Sequence, residues 1–154
     1  AGKGEAMNEG AVKREITLDA TVENMDEVMD FIRGNFQEAG CPKQVIMATL
    51  VATEEMYVNV AHYAYAPETG SVTVCCETNT DEKYGTITLT DSGMPFNPLA
   101  KEDANIMLSA EEREIGGLGI LMVKRIMDEV AYSHEGGKNC FTMTKKFYSE
   151  KKEG

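Results

Sequence analysis

Three groups of residues in this chain have types and spacing suited to chemistry. The first is Glu55, Asn59 and His62, at intervals of four and three within a run of helical periodicity, so that all three share one helix face. A carboxylate beside an amide oxygen suits a general base next to a Mg²⁺ ligand, because hard cations prefer oxygen donors. Taken alone, Glu54 and Glu55 read more readily as the place where a helix emerges into solvent, and His62 reads equally well as a packing histidine. The second group is Asp91-Ser92-Gly93-Met94-Pro95-Phe96, directly after an apolar strand. An Asp there, followed by Gly, can point a carboxylate into a pocket walled by bare backbone and accept a hydrogen bond from an exocyclic amine such as that of adenine. Alone it also reads as an Asp-Ser-Gly turn. The third is Gly116-Gly117-Leu118-Gly119-Ile120, at the start of an apolar helical pattern. Small residues let backbone amides approach a ligand, and a helix N-terminus favours an anion, with phosphate the natural occupant. A flexible hinge would use the same residues. In combination the three supply a base with a metal ligand, a base-reading carboxylate and a phosphate cradle, in that order.

The elements that must position these groups follow from the hydrophobic pattern. Val12–Leu18 ends in the alternation of a half-buried strand. Val22, Met25, Val28, Met29, Ile32 and Phe36 recur at helical spacing behind Asp19 or Thr21 as cap. Gly40-Cys41-Pro42 stops that helix and starts a second, expected over about 42–64; its apolar run Val45, Ile46, Met47, Leu50, Val51 predicts that it crosses the middle of the domain. Strands are expected at 71–78 and 86–90 around a polar turn, then an unpatterned stretch from Asp91 to Gly116, the length of a functional loop. A third helix begins near Gly117, and strands at 129–134 and 140–147 turn at Glu135-Gly136-Gly137-Lys138. Strands joined mostly by short turns give an α+β fold, a mixed or antiparallel sheet with helices on one face. The domain is expected over 11–148, between a frayed terminus at 1–10 and a polar tail at 149–154.

Composition removes other classes. The 154 residues suit one domain, and 42% apolar with 27% charged residues is a globular balance. A net charge of −11 repels phosphate backbones, so general nucleic-acid binding is disfavoured. No apolar run reaches the roughly 18 residues of a membrane span. Cys41, Cys75, Cys76 and Cys140 form no CxxC pair, which argues against zinc or a disulfide framework and for reduced thiols in the cytoplasm.

The order Glu55-xxx-Asn59, Asp91-x-Gly93-x-Pro95-Phe96, Gly117-Leu118-Gly119 resembles the ATP-binding (Bergerat) fold of histidine kinases, gyrase, Hsp90 and MutL, a two-layer α/β sandwich. Within that GHKL superfamily it is most similar to the small bacterial anti-sigma factors that are serine/threonine kinases, the RsbW and SpoIIAB type. The resemblance rests also on Tyr65 six residues after Asn59, on Asn97-Pro98 after Phe96, and on Met127-Asp128-Glu129-Val130. It covers about Ile16 to Phe147. It implies that Asn59 coordinates Mg²⁺, that Glu55 is the general base for a substrate serine, and that Asp91 takes the adenine amine with Gly93 clearing the ring and Pro95 in the same motif. It further implies an ATP lid over about 97–116, phosphate contacts from Gly117, Leu118 and Gly119, and a strand threonine, Thr142, near the adenine. His62 lies where superfamily histidine kinases carry a phosphate-touching basic residue. Arg113, close before the glycines, is the candidate cation for the transition state.

The resemblance thus implies a cytoplasmic, homodimeric, ATP- and Mg²⁺-dependent anti-sigma factor. It would sequester a sigma factor and phosphorylate an anti-sigma antagonist of the sulfate-transporter-and-antagonist (STAS) type. The alternative is an ATP-binding interaction module without catalysis. A sensor histidine kinase is excluded, because neither His62 nor His134 has dimerisation helices beside it.

Overall fold

Apolar and polar residues alternate along every inner strand, and the alternation fixes which face of the sheet is covered. Val72, Val74 and Cys76, then Ile87 and Leu89, then Phe141 and Met143 are buried, while the residues between them are only half-buried. The computed structural model describes residues 10–65, 68–95, 97 and 117–148. Its elements are β1 (Ala11–Asp19), α1 (Met25–Glu38), α2 (Lys43–Asn59), β2 (Ser71–Asn79), β3 (Tyr84–Asp91), α3 (Gly117–Ile126), β4 (Glu129–Glu135) and β5 (Lys138–Lys146). The strands form one sheet in the order β1-β2-β3-β5-β4, and every ladder is antiparallel. Of the two arrangements the short turns allowed, mixed or antiparallel, the sheet takes the second. Gly136 and Gly137 both have positive φ in the two-residue turn that joins β4 to β5, as a tight hairpin requires.

The helices bury one stripe each against the inner face. Val28, Ile32 and Phe36 of α1, spaced by four, are fully buried. Gly40 ends α1 with φ 84°; its N–H donates to Gln37 and that of Cys41 to Phe36, which pairs two of the last orphaned carbonyls. Ile120 and Val123, with Met127 just past its end, bring α3 into the same core. Helix α2 lies between α1 and α3, as its apolar sequence predicts, and buries Ile46, Ala52, Met56 and Tyr57. Its outward stripe stays open, however: Met47 is 58% and Val51 44% exposed.

The second helix runs to Ala64 as expected, but its last stretch, Val60–Ala64, is a π-helical turn. Widened turns of this kind often sit at functional sites. This one follows Asn59 and aims the Ala64 carbonyl at the end of β3, where it accepts the Met94 N–H at 2.9 Å. Tyr65 fastens the same junction, its hydroxyl donating to the Ser71 carbonyl and accepting the Ser92 N–H, each at 2.7 Å. Among the described residues no helix is long and apolar enough to cross a membrane. Cys75 and Cys76 face opposite sides of β2. Burial pushes the Cys76 thiol up to about 12 and that of Cys41 up to about 11, which makes both inert core thiols.

Candidate functional site

The C-terminal end of α2, the end of β3 and the start of β5 converge on one cavity of about 30 Å³. Its apolar wall is Met56, Val60, Ala64, Leu89 and Phe141, and its polar groups are Asn59, Asp91, Tyr132 and Asn139. Two motifs far apart in sequence, Asn59 on α2 and Asp91 on β3, thus face a common space. The space is large enough for a water or two, so a purine must widen it. The flexible side chain of Met56 in its wall is suited to that movement.

Asp91 is 5% exposed. Its Oδ1 accepts the Gly93 N–H at 2.8 Å and Asn139 Nδ2 at 2.9 Å, and among the described residues no donor reaches Oδ2. Asn59 is 4% exposed; its Nδ2 donates to the Glu55 carbonyl at 3.2 Å, and among the described residues Oδ1 has no donor. Buried polar atoms without partners are costly, about 1–3 kcal/mol each, and two facing one cavity mark a place for a ligand. The two open acceptors suit ATP with Mg²⁺: a carboxylate oxygen for an exocyclic amine, and one amide oxygen for an ion that keeps most of its waters. Among the described residues no cluster of three or more His, Cys, Asp or Glu could hold a metal by itself.

Glu55 lies one turn before Asn59 and is half-buried. Burial pushes its carboxyl above the ordinary range, and the neighbouring Glu54 charge adds to the shift. A β-carbon on Gly119 would collide with Glu55 Oε1, so the carboxylate rests against the first turn of α3, which Gly117, Leu118 and Gly119 open. The first and third sequence groups therefore meet at the N-terminus of α3.

Other expected residues fall elsewhere. Gly93 makes room for backbone rather than visibly for a ring, because a β-carbon there would collide with the Ala64 carbonyl oxygen. Gly93→Ala is expected to cost about 1–3 kcal/mol by overpacking, seen as a fall of several degrees in a thermal melt. An unchanged melting temperature would show that the junction of β3 and the π turn is slack. Pro95 and His62 are exposed and line no part of the cavity. Thr142 is a correction: its hydroxyl pairs with that of Thr88 at 3.4 Å on the open face of the sheet, opposite the cavity. The signal was present, since buried Phe141 and Met143 on either side force residue 142 outward in a strand. Arg113, and the lid apart from Asn97, lie outside the described residues. The polar cavity residues that motif reading missed are Asn139 and Tyr132.

The histidine kinase-like ATPase domain family matches residues 18–145. The chain belongs to this family. The serine-protein kinase RsbW of Staphylococcus epidermidis is 28% identical over 133 residues, covering 80% of this chain and 80% of that protein, and RsbW of its strain ATCC 12228 matches equally. Among solved structures, the RsbU and RsbW domains of Rv1364c from Mycobacterium tuberculosis superpose with a TM-score of 0.62 at 20% identity. That match covers 88% of this chain and 32% of the other, so this chain spans about a third of the longer protein. The antiparallel sheet with helices on one face matches the fold of that family.

Proposed function

We propose that this chain is an ATP- and Mg²⁺-dependent anti-sigma factor with serine/threonine protein kinase activity, which sequesters a sigma factor and phosphorylates its antagonist. The observation that carries the reading is the pair of buried acceptors, Asp91 Oδ2 and Asn59 Oδ1, on one cavity with Glu55 a helical turn away. Asp91 would hold the base by its amino group, and Asn59 would offer an oxygen to Mg²⁺. The first N–H groups of α3, which have no partner within the helix itself, favour phosphate. ATP, when bound, supplies the phosphoryl group to be transferred. Glu55 would accept the proton of the attacking hydroxyl, and its raised basicity suits that task. RsbW, the serine-protein kinase this chain resembles, supports the substrate class. Titration calorimetry with ATP, with and without Mg²⁺, tests the reading: Mg²⁺-dependent binding is expected, and its absence overturns it.

The reading includes a homodimer, and the open stripe of α2 supports it. Lys43 and Glu54 are eleven residues apart on one side of the helix, with Met47 and Leu50 between them, all on one open groove. An antiparallel copy would set Lys43 against Glu54 and Met47 against Leu50 about a two-fold axis. Val51→Glu is expected to shift light-scattering mass from dimer to monomer; a dimer unchanged by it would place the contact elsewhere.

A further inference from the structure

Asn139 belongs to none of the three sequence groups, yet it is the most connected side chain of the cavity. It lies in β5 directly opposite Asp91 in β3 and is 5% exposed. Its Nδ2 donates to Asp91 Oδ1 at 2.9 Å, to the Met94 carbonyl at 2.9 Å and, longer, to the Gly93 carbonyl at 3.4 Å. Its Oδ1 accepts the hydroxyl of Tyr132, which reaches across from β4. The carboxylate and the two carbonyls, which only accept, fix which way the amide faces, since reversed it would set an oxygen against all three. The Tyr132 hydroxyl then holds the amide oxygen in place. Asp91 in turn takes two N–H donors on one oxygen, from Asn139 and Gly93, so it cannot rotate without breaking both. Its other oxygen is a pure acceptor at the cavity.

Resting on the nucleotide-site reading above, we propose that Asn139, held by Tyr132, is a positioning residue that pins Asp91 and so sets a preference for purine nucleotides carrying a 6-amino group. A pinned carboxylate rewards a base with a donor at that point. A carboxylate free to turn can relax away from a base that lacks one, and the discrimination shrinks.

The test compares ATP with purine riboside triphosphate, which lacks only the amino group, by calorimetry in Mg²⁺ on the unmodified protein, Asn139→Ala and Tyr132→Phe. A hydrogen bond to a charged group predicts roughly a 10- to 100-fold preference for ATP in the unmodified protein. It should fall at least fivefold in Asn139→Ala and part of the way in Tyr132→Phe. The latter removes only a hydroxyl from a half-buried ring and keeps the test open should Asn139→Ala not fold. If both nucleotides weaken equally in the variants and the preference stays, Asn139 is merely structural and the inference fails. If the unmodified protein binds both equally well, the inference fails and the nucleotide site stands. If it binds neither, the nucleotide reading falls and takes this one with it.

Discussion

Asp91→Asn is expected to weaken ATP binding about 100-fold or more in a calorimetric titration, with little change in thermal stability. The substitution is isosteric, and its oxygen can keep the hydrogen bonds from Gly93 and Asn139. Its amide nitrogen is then forced to the position of Oδ2, where a donor would meet the donor of the base. The loss combines a hydrogen bond to a charged group, about 1.5–3 kcal/mol, with the roughly 1–3 kcal/mol of a buried group left unpaired. At about 1.4 kcal/mol per tenfold, even the low end of that sum approaches two decades. Unchanged affinity in a folded Asp91→Asn protein would remove Asp91 from the site and with it the main support for adenine recognition.

Much of this site was legible because its parts are local. Glu55 and Asn59 sit one turn apart on a helix whose period is plain, and Gly117 to Gly119 open a helix, where small residues would let an anion approach the backbone. The sheet order and the pairing of Asp91 with Asn139, 48 residues on, are long-range facts with no local signature. A single Asn just after a Gly-Gly turn looks like an ordinary hairpin residue, and only the register of β5 on β3 makes it a neighbour of Asp91. Thr142 failed for the opposite reason. The resemblance nominated it, while the period-two alternation of Phe141 and Met143 already placed it on the other face. The open stripe of α2 was hidden because a run of apolar residues does not say how many of its faces are covered. No residue type announces the π turn after Asn59 either; it becomes visible only where the Ala64 carbonyl meets Met94.

Glu55→Gln separates a kinase from a binding module built on the same fold. Glutamine keeps the shape that rests against Gly119 but cannot take a proton. Phosphate transfer to an antagonist serine is therefore expected to fall about 10²- to 10⁴-fold, the usual contribution of a general base, while the ATP dissociation constant moves by no more than about threefold. The pH profile gives a second handle. Burial raises the Glu55 pKa, so the basic form fills in at higher pH than for an ordinary Glu near about 4.3, and the acid limb of transfer should lie above that value and vanish in Glu55→Gln. The sign for stability runs the other way. A carboxyl whose folded pKa is raised contributes stability that is complete below the unfolded pKa and lost as pH rises through the folded one. Removing the charge should then leave the protein at least as stable at neutral pH as the unmodified chain. A transfer-dead, ATP-binding, undiminished fold would assign the base. Equal losses in binding and turnover would instead place Glu55 in the ground-state contacts with the nucleotide. Transfer unaffected by Glu55→Gln would mean that the hydroxyl gives its proton elsewhere, and transfer absent from the unmodified protein despite tight ATP binding would favour a nucleotide-gated module that sequesters its partner without chemistry.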